Sequence, residues 1–189
     1  MTDIIVYLKN PVPCEVKTRL LTRYTPEQAT RLYRAFIQDT IETAQSIEAD
    51  RYFVAYTPTG CEVEIADLVP EGWKLTPQVG ADLGARMLGS LRFGITSGAD
   101  KVVLIGTDIP SLPRSHILSA INRLDRNDLV LGPAADGGFY LIGTRITLPE
   151  IFSEVKWSTD KVFEQTTTGI RSHGLLMSLI PPWHDIDTP

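Results

Sequence analysis

Asp108 stands where a carboxylate can do chemistry. It follows the run Lys101-Val-Val-Leu-Ile-Gly106 and is fenced by Pro110 and Pro113. Val102 to Ile105 is continuous and apolar, the pattern of a strand buried on both faces within a parallel sheet. The prolines stop strand and helix alike. The carboxylate therefore falls just past the carboxyl end of a central strand, where open α/β sheets place their ligands. Capping a turn is the plainer role for it, because Asp close to Pro is ordinary turn chemistry.

Three cations, Lys9, Lys17 and Arg19, share one connection in which Pro11 and Pro13 prevent regular structure. Opposite charges about 4 Å apart gain roughly 4 kcal/mol at an effective dielectric near 20, so the loop suits a diphosphate. It lacks the Gly-x4-Gly-Lys spacing of a P-loop. A second acidic residue, Asp136, precedes Gly137, Gly138 and the apolar run Phe139–Ile142. Paired glycines permit close backbone approach to a ligand, and an Asp-Gly hairpin turn is the plainer alternative. Arg86, in a helix with Asp82 as N-cap, points towards the sheet end that carries Asp108. A solvated surface arginine is an equal reading of it. Ser158 or Thr159 is expected to cap a helix carrying Val162, Phe163 and Ile170, whose N-terminus is an anion site.

The elements that must position these groups alternate along the chain. Strands are predicted at Asp3–Leu8, Arg51–Thr57, Trp73–Pro77, Val102–Ile105, Asp128–Leu131 and Leu175–Ile180. Helical spacing marks 26–48, opened by the capping box Thr25-Pro-Glu-Gln28. It also marks Glu62–Leu68, a helix from about residue 83 with Leu83, Met87, Leu88, Leu91 and Ile95 inward, and Arg114–Arg126. Such alternation means βαβ crossovers and a mostly parallel sheet between helices. Phe139–Gly143 is expected to add an antiparallel strand. The predicted architecture is a single-domain, three-layer α/β/α sandwich over residues 1–189.

Composition excludes several classes. In 189 residues, 43% are hydrophobic and 22% charged, the balance of a soluble globular protein. A net charge of −5 and the lack of a basic cluster argue against nucleic acid as partner. Cys14 and Cys61 have no metal-ligand spacing, which suits a reducing, cytoplasmic setting. No apolar run reaches membrane-spanning length. The first strand is not followed by Gly-x-Gly-x-x-Gly, which removes a Rossmann dehydrogenase.

The motifs Lys9-x-Pro-x-Pro-x-x-Val-Lys-Thr-Arg-Leu20, Gly80-x-Asp-Leu-Gly-x-Arg-Met87, Ile105-Gly-Thr-Asp-x-Pro110, Gly132-Pro-x-x-Asp-Gly-Gly-Phe-Tyr-Leu-Ile-Gly143, Trp157-Ser-Thr and His184-Asp-Ile-Asp-Thr-Pro189 occur in order along nearly the whole chain. Together they resemble a set of bacterial GT-A-like transferases of the nucleotide-diphospho-sugar transferase superfamily, usually labelled glycosyltransferases, some linked to arsenosugar biosynthesis. In fold and in the closing Asp-Thr-Pro the chain is similar to 2-phospholactate and molybdopterin guanylyltransferases.

The resemblance implies a nucleotide-sugar fold with the nucleotide over the first loop, held by Lys9, Lys17, Arg19 and Arg86. It implies Mg²⁺ or Mn²⁺ on Asp108 and Asp187, with Asp108 and Asp136 catalytic. Gly137, Gly138, Trp157 and Ser158 would border a small-molecule acceptor. The implied reaction is glycosyl transfer from a nucleotide-activated sugar; nucleotidyl transfer with pyrophosphate release, or nucleotide binding without catalysis, are the alternatives. The chain departs from the family pattern at Cys14, where glycine is usual, and in a single Asp rather than Asp-x-Asp at residue 108. Base, sugar, acceptor and oligomeric state are left open.

Overall fold

Strand and helix alternate as the periodicity predicts. The computed structural model describes residues 1–187, so Thr188 and Pro189 of the closing motif lie outside the described residues. The chain runs β1 (Thr2–Lys9), α1 (Pro26–Gln45), β2 (Arg51–Thr57), α2 (Glu62–Ala66), β3 (Lys74–Pro77), α3 (Leu83–Thr96), β4 (Lys101–Gly106), α4 (Arg114–Arg123), β5 (Leu129–Pro133), β6 (Phe139–Thr144), α5 (Val162–Ser172) and β7 (Met177–Leu179). Seven strands form one sheet in the order β3-β2-β1-β4-β6-β5-β7. β6 pairs antiparallel with β4 and β5, and the remaining pairs are parallel. The antiparallel strand predicted at Phe139–Gly143 is this β6.

Alternation along β1 builds the three layers. Ile4, Val6 and Leu8 join a core with residues of α1, α2 and α4. Ile5 and Tyr7 face the other way, into a core with α3 and α5. Both faces of β1 and β4 are buried, so the central strands have only their ends to offer a ligand. Local signals fix where the helices begin. Thr25 Oγ1 accepts from Gln28 N while Gln28 Oε1 accepts from Thr25 N, closing the predicted capping box. Asp82 caps α3 by accepting from Ala85 N at 2.8 Å.

Three expectations are corrected. α5 starts at Val162 with Lys161 as its N-cap and no side-chain cap. Ser158 adopts a left-handed conformation instead, and Thr159 bonds its own turn. Neither residue turns the helix end into an anion site. α4 stops at Arg123, short of Arg126. Leu83, expected inward on α3, is 43% exposed because it opens the helix at the rim of a cavity rather than over the sheet.

Candidate active site at the carboxyl ends of β1 and β4

The loop leaving β1 reverses direction through two left-handed residues, Cys14 (φ +67°) and Lys17 (φ +47°), and enters a 3₁₀ turn at Thr18–Thr22. That reversal turns Lys17 inward. Its side chain is only 3% exposed, and its ammonium lies 2.7 Å from Asp108 Oδ1 and 2.8 Å from Asp187 Oδ1. It also donates to the Ile186 carbonyl at 2.7 Å. Two of the ammonium's three protons go to Asp187 and Ile186, and Asp108 adds an ion pair. The ammonium further sits 5.3 Å from the centre of the Phe36 ring. Arg19 reaches the second oxygen of Asp187 at 3.3 Å, while Lys9 turns to the Glu15 carbonyl at 2.8 Å. A cavity of about 220 Å³ opens between Lys9, Lys17, Arg19, Tyr33, Asp108 and Asp187.

A buried hydrogen-bond chain holds the two strand ends together. Lys9 N donates to the Tyr33 hydroxyl at 3.1 Å. Thr107 Oγ1 donates to the Tyr7 carbonyl, so the Tyr33 hydroxyl donates to Thr107 at 2.9 Å. Burial pushes the Tyr33 phenol up to about 12, which keeps that proton in place across the ordinary pH range. The loop with the cations is thereby tied to the residue preceding Asp108.

A segment after β7 completes the site. Trp183 N donates to the Pro133 carbonyl, Ala135 N to the Trp183 carbonyl and Ile186 N to the Asp108 carbonyl, at 2.9 to 3.0 Å. Tyr140 donates to the Pro181 carbonyl at 2.8 Å. His116 Nδ1, 2.8 Å from the same hydroxyl, must then be the protonated nitrogen. Burial lowers the His116 pKa. This strap brings Asp185 and Asp187 beside Asp108 and Asp136 around a cavity of about 160 Å³. Burial, then the charges of Asp136 and Asp187, raise the Asp185 pKa.

No group of three or more His, Cys, Asp and Glu side chains among the described residues forms a ready-made metal cage. The donor set nevertheless fits a hard cation. Asp108 and Asp187 converge on one positive charge, and magnesium takes one or two carboxylates and completes its shell with phosphates and water.

Of the sequence-predicted residues, Lys9, Lys17, Arg19, Asp108 and Asp187 meet in one cavity. Asp136 and Gly138 border the acidic one, and Asp136 also fulfils the turn role by accepting from Gly138 N at 2.9 Å. Gly137 does need its glycine (φ +89°), but a Cβ there would fall on the Asp160 carbonyl. The close approach is to the chain's own backbone. Arg86 curls back onto the Gly80 carbonyl and borders none of these cavities. Trp157 packs edge-on against Phe152 and Phe139 and over Gly84, and Ser158 is exposed; neither borders the site. Tyr33 and Asp185 were not singled out by sequence reasoning. Tyr33 reads as one more apolar-face residue of α1, and Asp185 stands in a tail without periodicity.

Residues 40–159 match a family described as an uncharacterized protein conserved in bacteria (DUF2064). The chain belongs to this family. The DUF2064 match takes in Asp108, Asp136 and Gly138; the cation loop and the strap lie outside it. Among solved structures, a provisionally assigned nucleotide-diphospho-sugar transferase from Desulfovibrio desulfuricans G20 is 34% identical over 99% of this chain and 82% of its own, with a TM-score of 0.91. CMP:2-keto-3-deoxy-manno-octonic acid synthetase complexed with CTP shares the fold at 12% identity, covering 100% of this chain and 93% of its own, with a TM-score of 0.64. So does 4-diphosphocytidyl-2C-methyl-D-erythritol synthase from Anaerococcus prevotii DSM 20548, at 12% identity, the same coverage and a TM-score of 0.62. No curated protein matches the chain. This DUF2064 protein therefore has the nucleotide-diphospho-sugar transferase fold, and no helix among its described residues is long and apolar enough to cross a membrane.

Cys14 is one of the two left-handed residues of the cation loop. A left-handed conformation costs an L-residue roughly 1–2 kcal/mol, and glycine adopts it freely while losing about 0.5–1 kcal/mol of chain entropy. Cys14→Gly is expected to raise the melting temperature by roughly 2 °C and to leave nucleotide affinity unchanged. Thermal unfolding with and without nucleotide measures both. A sharp loss of binding would show that the exposed thiol itself touches ligand.

Proposed function

We propose that this protein is an enzyme, a metal-dependent transferase that uses a nucleotide-activated sugar as donor and a small molecule as acceptor. The observation that carries the reading is the convergence of Lys9, Lys17 and Arg19 with Asp108 and Asp187 at the ends of β1 and β4, next to a largely apolar cavity of about 300 Å³ that shares Lys9, Tyr33 and Asp108 with it. Lys9, Lys17 and Arg19 neutralise the diphosphate. Asp108 and Asp187 hold Mg²⁺ or Mn²⁺, which when bound stabilises the charge growing on the leaving diphosphate. Asp136, exposed on the β5–β6 turn, faces the acceptor side with Gly138 and takes the acceptor's proton. The bond from the sugar's anomeric carbon to the diphosphate oxygen breaks, the bond to the acceptor oxygen forms, and a nucleoside diphosphate leaves. Two free cysteines support a reducing, cytoplasmic location.

The likeness in fold to the two cytidylyl synthases supports one second reading. In it an acceptor oxygen attacks the α-phosphorus and pyrophosphate departs. The products separate the two. Incubation with nucleotide sugars or nucleoside triphosphates, each with Mg²⁺ and a panel of small alcohols and phosphates, is expected to release nucleoside diphosphate. Pyrophosphate as the only product overturns glycosyl transfer.

A further inference from the structure

We infer that Lys17 is a place-holder for the metal: its ammonium fills the cation position between Asp108 and Asp187 and leaves it only when a diphosphate arrives. The inference rests on the metal-dependent reading above and deepens it, because it names the order in which the site takes its ligands.

The two carboxylates that suit a hard cation already share one. Lys17 Nζ lies 2.7 Å from Asp108 Oδ1 and 2.8 Å from Asp187 Oδ1, so it stands where an ion bridging those oxygens would stand. Magnesium needs its oxygens at about 2.0–2.1 Å, and it competes with the ammonium for the same space. The second oxygen of Asp187 faces Arg19 at 3.3 Å. Two negative and two positive side chains thus form a neutral group. A divalent ion entering alone brings two charges that nothing in this group offsets. An ion that enters with a diphosphate brings its own counter-charge, and the diphosphate gives the displaced ammonium a new partner.

The surroundings of Lys17 let the ammonium move while the carboxylates stay. The backbone of Lys17 is fixed in a left-handed conformation at the head of the 3₁₀ turn, but its four-carbon stem is flexible. Lys17 also lines the cavity of about 220 Å³ that holds Lys9 and Arg19. Rotation of the stem carries the ammonium from the carboxylates into that cavity, where the diphosphate lies. The bond to the Ile186 carbonyl is given up, yet Ile186 N still donates to the Asp108 carbonyl at 2.9 Å. The strap therefore keeps Asp187 beside Asp108 as the cations exchange. The free protein excludes the metal, and the diphosphate admits it.

The experiment titrates nucleotide-free protein with Mn²⁺, read by the paramagnetic resonance signal of the free ion and by the melting temperature. Wild type, Lys17→Met and Arg19→Met are compared, and wild type is titrated again beside ADP, CDP, GDP and UDP in turn. Lys17→Met is expected to bind Mn²⁺ alone about tenfold or more tightly than wild type. Mn²⁺ should raise the melting temperature of Lys17→Met and move that of wild type little. Arg19→Met removes the same charge from the exposed side of Asp187, so its affinity should stay within about threefold of wild type. Adding Asp108→Asn to Lys17→Met should abolish the gain. Wild type that binds Mn²⁺ as tightly alone as beside a diphosphate overturns the inference alone, and this arm stands even if Lys17→Met does not fold. Equal Mn²⁺ affinity of wild type and folded Lys17→Met also overturns it, as does an equal gain in Arg19→Met. If Mn²⁺ binds neither Lys17→Met nor wild type beside any diphosphate, the metal-dependent transferase reading falls as well.

Discussion

Lys17→Met is expected to lower the melting temperature by roughly 4–8 °C and to weaken nucleoside-diphosphate binding far more than nucleoside binding. The methionine keeps the stem that packs near Phe36 and removes only the charge. Without it, Asp108 and Asp187 face one another with no cation between them, and the strap loses the bond to Ile186. Breaking a fully buried pair costs about 3–5 kcal/mol. Here Asp108 is 55% and Asp187 31% exposed in the side chain, so solvent screening reduces the loss to about 2 kcal/mol. In a domain of this size that corresponds to the stated fall. Calorimetric unfolding and paired titrations with a diphosphate and its nucleoside test both parts. Equal loss for the two ligands would remove the loop from phosphate recognition.

Asp108→Asn should abolish most of the Mg²⁺ dependence of nucleotide affinity. The amide preserves shape and some hydrogen bonding but not charge, and a hard cation prefers carboxylate oxygen. Loss of a partner one shell out commonly costs 10–100-fold in metal affinity, so loss of a direct ligand should cost at least about that much. Asp187→Asn should act in the same direction more weakly, because Lys17 and Arg19 already share its oxygens. Asp136→Asn should spare the metal response yet slow turnover, since its amide oxygen still accepts from Gly138 N and holds the turn. A Mg²⁺ titration of nucleotide affinity across the three variants decides. Full retention of the metal response by Asp108→Asn would sink the proposed site. From sequence alone, an acidic cluster relieved of repulsion would be expected to hold its metal-free stability or to gain some. The ion pair with Lys17 reverses that sign, and Asp108→Asn should lose up to about 1 kcal/mol.

The sheet was legible because its strands are short, apolar and bounded by glycine and proline, so that Asp108 could be placed past β4 from residue types alone. The capping box at Thr25 and the cap at Asp82 were legible for the same local reason. What escaped depends on contacts far apart in the chain. Nothing in the run from Lys9 to Leu20 reveals that Lys17 turns inward, because the turn depends on two left-handed residues that are not glycine. Gln78 reads as a polar residue ending a weak strand, and its hydrogen bond to the Leu8 carbonyl appears only when β1, β2 and β3 lie side by side. The helix expected from Ser158 begins at Val162, because the segment before it packs against Gly137 instead of capping a helix.

The clamp on Lys17 joins residues separated by 170 positions. A ribosome delivers the cation loop first and the strap with Asp187 only after all seven strands have left the tunnel. A nascent chain can therefore assemble much of its sheet while the cluster of like charges near β4 is still incomplete and its counter-charges are free. Closure of the clamp must therefore follow the emergence of Asp187.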